Sequence, residues 1–228
     1  MSASDQTDNT SAQTKLSAET AAEMLQQSKA QIQSGDFSAA QKLMTQLLAD
    51  YPNHAEALYL TAVSQRLSQD YQSALLSLDR LASVEPSYGR AWQERGHVHM
   101  ACNNSQEARA AFQQAVTLNS SLIASWQMLM SLTDPAVDTK AHGYFRDQYQ
   151  RLAALPPELL GVRNLMEEGK LSKAEQLCRS FLQKQPKHIE AMRLLADLGV
   201  KTHVLDDAEF ILESALVFDP GNLLVRFD

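Results

Sequence analysis

The stretch GDFSAAQKLMTQLLADYP, residues 35–52, recurs as QDYQSALLSLDRLASVEP at 69–86 and as GKLSKAEQLCRSFLQKQP at 169–186. Each copy has a turn, then an aromatic residue or Leu, then an Ala three residues later, and it closes on Pro. The first two copies start 34 residues apart. A fixed period of this size indicates stacked supersecondary units rather than one irregular core.

The early alanine of the copy marks the period along the whole chain. It falls at Ala40, Ala74, Ala108, Ala174 and Ala208, so the successive gaps are 34, 34, 66 and 34 residues. The long gap predicts one degenerate unit that is two residues short of the period. Pro135 lies in that unit, and proline disfavours helix in the residue before it, so its first helix should end near Thr133.

Each unit is predicted to be a helical hairpin. Apolar residues follow the i, i+3, i+4, i+7 spacing in two segments, with short turns such as SGD and CNN between them. The chain shows almost no alternating apolar pattern, so no sheet is expected. The fold class is all-α, an α-solenoid of about six hairpins. The helix pairs are predicted at 18–34 with 37–50, 54–67 with 71–84, 88–101 with 105–118, 122–133 with 137–153, 157–168 with 171–184, and 188–200 with 205–218.

One unit carries a recognisable signature. The spacing Trp92-x2-Arg95-Gly96-x2-His99 resembles the first helix of a tetratricopeptide repeat, with Arg and His where Leu and Tyr are usual. Ala108 and Phe112 continue the pattern in the second helix. The resemblance implies a right-handed superhelix whose concave face is lined by the first, or A, helix of each hairpin.

A narrower resemblance extends over nearly the whole chain. The stretches GRAWQERGH, LAALPPELL, KAEQLCRSFLQKQPKHIEAMRLLADLG and LDDAEFILESALVFDPGN are similar to the N-terminal repeat region of bacterial tetratricopeptide-repeat sulfotransferases. This resemblance implies a C-terminal catalytic domain beyond Asp228 that uses 3′-phosphoadenosine 5′-phosphosulfate. The present chain has no PRSGTT-like phosphate loop after a strand, so no catalytic or cofactor-binding residue is assigned.

The expected organisation has three parts. Residues 1–17 are poor in apolar side chains and are predicted to be a disordered tail. Residues 18–222 form the solenoid, with units at about 21–54, 55–88, 89–122, 123–154 (degenerate), 155–188 and 189–222. Residues 223–228 read as the start of a further, truncated helix.

Composition excludes several classes of partner. The 228 residues carry a formal charge of -7 and a pI near 5.4, which does not favour nucleic acid or an anionic membrane. No apolar run is long enough to span a bilayer. The two cysteines form no Cys-x-x-Cys pair, so a cytoplasmic protein without a cofactor or metal is expected.

The segment AWQERGHVHM, residues 91–100, has the composition of a metal site. On a helix His97 and His99 point about 200° apart, so they cannot face one ion, and the pair of Glu94 and His97 is incomplete. The segment is therefore interpreted as repeat architecture.

Two sets of residues are the candidates for function. The outward positions of the A helices predict a groove that binds a protein or peptide segment. The leading candidates for partner binding are Tyr59, Arg66, Arg90, Gln93, His97 and Arg193. Asp197 and Lys201 are expected to add to the lining of this groove. Polar residues at the usual Leu position predict a polar seam of Gln27, Thr61 and Arg95, with Arg95 either paired to Asp79 or Glu94 or solvated.

The sequence thus favours a non-enzymatic interaction module. Three contexts stay open at this point: the N-terminal part of a sulfotransferase that positions a partner or acceptor, a chain that itself transfers sulfuryl groups, and a free-standing adaptor or oligomerisation module.

Overall fold

The computed structural model describes residues 16–222 and Val225. Within that part the chain is all-α, with no strand. The helices are α1 Ala18–Ser34, α2 Phe37–Asp50, α3 Ala55–Leu67, α4 Tyr71–Val84, α5 Gly89–Ala101, α6 Ser105–Leu118, α7 Ile123–Ser131, α8 Thr139–Ala153, α9 Pro157–Glu167, α10 Leu171–Lys184, α11 Ile189–Lys201 and α12 Leu205–Phe218. The all-helical repeat prediction is confirmed, and most predicted ends agree within one residue.

The chain divides into two compact units, with the boundary between Glu85 and Pro86. The first unit contains two hairpins, α1 with α2 and α3 with α4, and α2 also packs on α3. Met44 and Leu47 of α2 and Leu60 of α3 are buried in its core. One helix therefore contributes to two interfaces, as stacked repeats require.

The second unit contains four hairpins, from α5 to α12. The second, or B, helix of a hairpin packs on the A helix of the next hairpin, as α6 does on α7 and α10 does on α11. Phe112 of α6 shares a buried cluster with Trp126 and Leu129 of α7, while Cys178 of α10 shares one with Leu195 of α11. These apolar stripes hold neighbouring hairpins together.

Small residues allow the two helices of a hairpin to approach closely. The repeating alanines Ala40, Ala74, Ala108, Ala174 and Ala208 are all buried. At Gly96 a Cβ atom would lie 2.6 Å from the Cε1 atom of Phe112, which is closer than atoms can pack. Leu212, four residues after Ala208 on α12, is half-buried.

The turns inside the hairpins repeat the same backbone conformation. Left-handed residues occur at Gly35, Gln69, Asn103, Gly169 and His203, with φ from 60° to 84°. The next backbone N–H donates to the carbonyl five residues earlier, as Asp36 does to Gln31 at 2.8 Å and Asn104 does to His99 at 2.9 Å. This is the Schellman ending of a helix, and here it recurs with the spacing of the alanines.

The fourth hairpin breaks this pattern. Helix α7 ends at Ser131, two residues before the predicted end at Thr133, and seven residues connect it to α8. Thr133 donates its hydroxyl to the Leu129 carbonyl at 2.7 Å, and Asp138 caps α8 by accepting from the Ala141 N–H at 3.0 Å. The helix ends before the position that Pro135 predicts, because the Thr133 N–H donates to the Met130 carbonyl three residues earlier, at 3.2 Å, and does not continue the α-helical hydrogen-bond pattern.

The two ends of the described region adjust the predicted organisation. Leu16 and Ser17 were assigned to the tail, yet the Leu16 N–H donates to Asp50 at 2.8 Å and Ser17 caps α1. The remainder of the predicted tail, residues 1–15, lies outside the described residues. Of the predicted final helix only Val225 is described, and it is helical and buried.

Candidate partner-binding site

A concavity of about 460 Å³ lies between α9 and α11 of the second unit. Helix α9 begins with Pro157 at a position where its missing N–H costs nothing, and α11 begins after His188, whose Nδ1 accepts from the Ala191 N–H at 3.3 Å. The walls combine charged and apolar side chains: Arg163, Met166, Glu167, Glu190, Arg193, Leu194, Ala196, Asp197, Val200, Lys201 and Leu212.

Two guanidinium groups at this concavity share one carboxylate. Arg193 Nη1 lies 2.8 Å from Glu190 Oε2, and Arg163 Nη1 lies 3.6 Å from Glu190 Oε1. All three side chains are partly exposed, so they can also contact a bound segment. Glu190 therefore fixes the two cations relative to each other across the gap between the helices.

The rest of the wall presents apolar surface, further carboxylates and an ammonium group. Met166, Val200 and Leu212 present apolar surface, and Asp197 and Lys201 are exposed. Mixed walls of this kind suit a short peptide segment that inserts an apolar side chain and pairs its own charges at the rim.

The structure brings only part of the predicted groove into this concavity. Arg193, Asp197 and Lys201 line it as the helical spacing suggested. Arg163 and Glu190 were not singled out from the sequence. The repeat register could have found Arg163, because it lies 66 residues after His97 and 34 before Asp197.

Arg90 and Gln93 are engaged inside the second unit. Arg90 Nε lies 2.7 Å from Glu168 Oε1, and Lys170 Nζ lies 2.6 Å from the other oxygen of that carboxylate. Arg90 also lies over the Tyr88 ring and donates to its hydroxyl at 2.9 Å. Gln93 accepts a hydrogen bond from Ser125 of α7 at 3.1 Å. These two residues connect hairpins within the unit, and their role in partner binding stays a prediction.

His97 and Arg95 contact neighbouring rings. The half-buried His97 ring meets Phe112 edge to face, with centroids 5.1 Å apart. The Arg95 guanidinium lies 5.2 Å from the centre of the Trp92 ring, one turn earlier on α5. Stacking on an aromatic face is a favourable arrangement for a guanidinium at a position that usually packs Leu.

The first unit contains the remaining predicted residues. Tyr59 packs against the core of that unit, and Arg66 is half-buried in the last turn of α3. Gln27 is exposed, and Thr61 donates its hydroxyl to the Ala57 carbonyl of its own helix at 2.8 Å. The polar seam through Gln27, Thr61 and Arg95 stays a prediction.

Cys178 is buried in the core between α10 and α11. Burial raises the pKa of the Cys178 thiol to about 11, and the thiol donates to the Ala191 carbonyl. A thiol with a raised pKa forms little of the nucleophilic thiolate near neutral pH. Residues 16–222 contain no cluster of three or more His, Cys, Asp or Glu side chains that could hold a metal ion.

Three family models match the chain, and all three describe the tetratricopeptide repeat. They cover residues 25–83, 89–122 and 165–226, which together make up more than half of the sequence. The chain is a tetratricopeptide-repeat protein. The family models leave out the irregular fourth hairpin of the repeat protein, most of α9 and the first turns of α1. No curated protein matches its sequence significantly.

Solved structures share the fold of the repeat protein at low sequence identity. PilF from Pseudomonas aeruginosa is 17% identical, with a TM-score of 0.54 over 92% of this chain and 96% of PilF. A chain of the Naa15/Naa10 complex bound to HypK-THB is 14% identical, with a TM-score of 0.53 over 90% of this chain and 38% of that one. The O-GlcNAc transferase of Thermobaculum terrenum is 20% identical, with a TM-score of 0.53 over 59% and 26%.

None of the described helices combines the length and the apolar character needed to cross a bilayer.

Proposed function

We propose that this repeat protein is a non-enzymatic interaction module that binds a segment of a partner protein in the concavity between α9 and α11. The observation that carries the proposal is the set of paired cations beside an apolar wall. Arg163 and Arg193 are oriented by Glu190, while Met166 and Val200 stand next to them. Preoriented charges reduce the ordering cost of binding.

The bound segment has a defined chemistry. An apolar side chain of the partner contacts Met166, Val200 and Leu212, and a carboxylate of the partner reaches Arg193 from the open side. Lys201 and Asp197, which are exposed one turn apart on α11, select the charge of the flanking residues. Nucleic acid is not the expected ligand, because the wall carries as many carboxylates as cations.

A peptide selection tests this function directly. A library of displayed peptides is selected on the full chain, and an enriched peptide is labelled and titrated by fluorescence anisotropy. We expect Val200→Glu to weaken binding by about tenfold, because contacts near the centre of an interface carry most of the affinity. Lys201→Glu should weaken it by about fivefold, because it reverses a charge that meets the flanking residues of the peptide.

The matched control is Lys173→Glu on α10, an exposed lysine outside the concavity, which introduces the same charge change. Affinity should stay within about twofold of the parent in this variant, as a peripheral charge contributes little at physiological salt. Equal losses in Lys173→Glu and Lys201→Glu would contradict the proposed site, and so would unchanged binding in Val200→Glu.

We further propose that the module forms the N-terminal part of a sulfotransferase, in which it positions a partner or acceptor for a catalytic domain beyond Asp228. The sequence resemblance of the repeat stretches supports this context. Calorimetric titration with adenosine 3′,5′-bisphosphate should show binding to a longer chain and none to residues 1–228. Binding to residues 1–228 would instead favour a chain that itself transfers sulfuryl groups.

We also propose a cytoplasmic location for the protein. Cys102 is exposed and Cys178 is buried, and both are free thiols, which supports a cytoplasmic location.

A free-standing adaptor or oligomerisation module is the competing function. Stable dimers in multi-angle light scattering at micromolar concentration would favour oligomerisation over partner binding.

A further inference from the structure

Helix α12 exposes a stripe of large apolar side chains. Phe210 is 69% exposed, Val217 is 75% exposed and Phe218 is 45% exposed. Val217 and Phe218 lie seven and eight residues after Phe210, so the three side chains share one side of the helix. We call these three residues the α12 stripe.

The α12 stripe faces away from the direction in which the repeats stack. Ala208 and Ala215 of α12 are buried, and Val225 packs with Ala215 and Met192 of α11. Phe210 lies about 200° around the helix from Ala208, on the opposite side. Val225 therefore packs on the face of α12 opposite to the stripe.

The same positions carry small or polar residues in the earlier B helices of this unit. Counting by the repeat, Phe210 corresponds to Gln176 in α10 and Ala110 in α6, and Val217 corresponds to Gln183 and Thr117. All four of these residues are exposed. The repeat fold therefore does not need apolar side chains at these positions. Helix α4 has one, Leu76, with Ser83 at the position of Val217, whereas α12 has apolar side chains at both positions.

Acidic residues surround the stripe. Helix α12 contains Asp206, Asp207, Glu209 and Glu213, whereas its residues 205–218 include no Lys or Arg. All four carboxylates are exposed. One cation contacts the stripe: the ammonium group of Lys187 lies over the Phe218 ring, with Nζ 5.4 Å from the ring centre. The surface thus combines apolar contact with attraction for positive charge.

We propose that the α12 stripe is a second interaction surface, which binds a basic amphipathic helix of a partner protein. Leucine or similar side chains of that helix cover Phe210 and Val217, while its Lys or Arg residues pair with Glu209 and Glu213. A second copy of this chain is disfavoured there, because it would place acidic residues against acidic residues. An anionic membrane is disfavoured for the same reason. This surface is independent of the concavity between α9 and α11.

The test uses a defined probe and the full chain. Fluorescein-labelled peptide LKKLLKLLKKLLKL, a basic amphipathic helix, is titrated by fluorescence anisotropy, and LEELLELLEELLEL serves as the acidic counterpart. The double variant Phe210→Gln with Val217→Gln changes the outer face of α12 to that of α10. We expect it to weaken binding of the lysine peptide by about tenfold or more, and Glu209→Gln with Glu213→Gln to weaken it about threefold at low salt.

The control is Leu76→Gln on α4, because Leu76 has the same repeat position as Phe210 and is 63% exposed. It should leave the affinity unchanged. Equal binding of the lysine peptide by parent and Phe210→Gln/Val217→Gln would overturn the proposal, as would equal binding of the glutamate peptide. Dimers in light scattering, or adsorption to phosphatidylserine vesicles, that disappear in the same double variant would also overturn it in favour of those occupants.

Discussion

The third and fourth hairpins of the chain, which are the first two of the second unit, solve the same packing problem in different ways. In the third hairpin, Gly96 lets Phe112 pack directly against α5, and a three-residue turn through Asn103 reverses the chain. In the fourth hairpin, the corresponding position is Met130, the A helix has nine residues, and the turn has seven. Regular packing is there replaced by an aromatic cluster.

That cluster joins three helices. The Trp126 ring lies 5.7 Å from Tyr144 and 6.1 Å from Phe145, measured between centroids, and its indole N–H donates to the Ser120 carbonyl at 2.8 Å. Phe112 of the third hairpin belongs to the same buried cluster. Aromatic rings fill irregular space well because they bury large areas and stack at several angles.

Contacts that skip the fourth hairpin supplement the cluster. Arg90 of α5 pairs with Glu168 just beyond α9, and Asn119 donates to the Asn164 side chain of α9 at 3.3 Å. An irregular repeat is tolerated here because its neighbours on either side also contact each other. Four experiments test this interpretation.

Trp126→Ala should have the largest effect. It leaves a cavity at the centre of the irregular hairpin, and we expect a loss of about 3–5 kcal/mol in the free energy of unfolding. Urea unfolding followed by circular dichroism measures the loss. Tyr144→Ala removes a neighbouring but exposed ring and should cost about 1 kcal/mol or less. Similar losses in both variants would mean that Trp126 does not hold the hairpin together.

Gly96→Ala should have the next largest effect, because its methyl group would overlap the Phe112 ring. Overpacking of this kind costs about 1–3 kcal/mol. The control is Gly143→Ala in α8, where a Cβ atom meets nothing within 4 Å and alanine should stabilise the helix by about 0.5–1 kcal/mol. A neutral Gly96→Ala would show that close packing is not what distinguishes the third hairpin.

The contact between Arg90 and Glu168 should contribute less. A double-mutant cycle with Arg90→Gln and Glu168→Gln isolates its coupling energy, which we expect to be about 1 kcal/mol because the pair is only partly exposed. The coupling should fall in high salt. A coupling energy of zero would leave the aromatic cluster and the hydrogen bond from Asn119 to Asn164 as the contacts that compensate for the irregular hairpin.

Asn103→Ala should have the smallest effect. Asn103 has a φ of 60°, a conformation that alanine tolerates less well than asparagine, so we expect a loss of about 0.5–1 kcal/mol. Val137→Ala in the turn of the fourth hairpin, where the side chain is almost fully exposed, should change stability by less than about 0.5 kcal/mol. A larger loss of stability for Val137→Ala than for Asn103→Ala would mean that the seven-residue turn of the fourth hairpin contributes more to stability than the three-residue turn of the third.

Much of the fold could be predicted because each repeat contains its own local signals. The period, the buried alanines and the helix ends at 34, 50 and 84 follow from spacing and turn residues within one hairpin. The early end of α7 was missed by two residues, since the register of the last turn depends on Thr133 and the loop that follows. For the candidate site, Arg193, Asp197 and Lys201 were predicted from helical spacing, whereas Arg163 and Glu190 were not.

The sequence by itself determined an all-helical array of hairpins, because small residues and apolar stripes repeat at a fixed spacing and act within a few turns of helix. Tertiary structure alone decided which polar residues are engaged. Arg90 looked like a free groove residue, but it meets Glu168, which lies 78 positions later in the chain. Arg193 and Glu190 lie three residues apart on α11, so helical spacing alone places them together. The contact of Arg163 with Glu190 crosses from α9 to α11, and sequence spacing does not fix the distance between side chains of neighbouring hairpins.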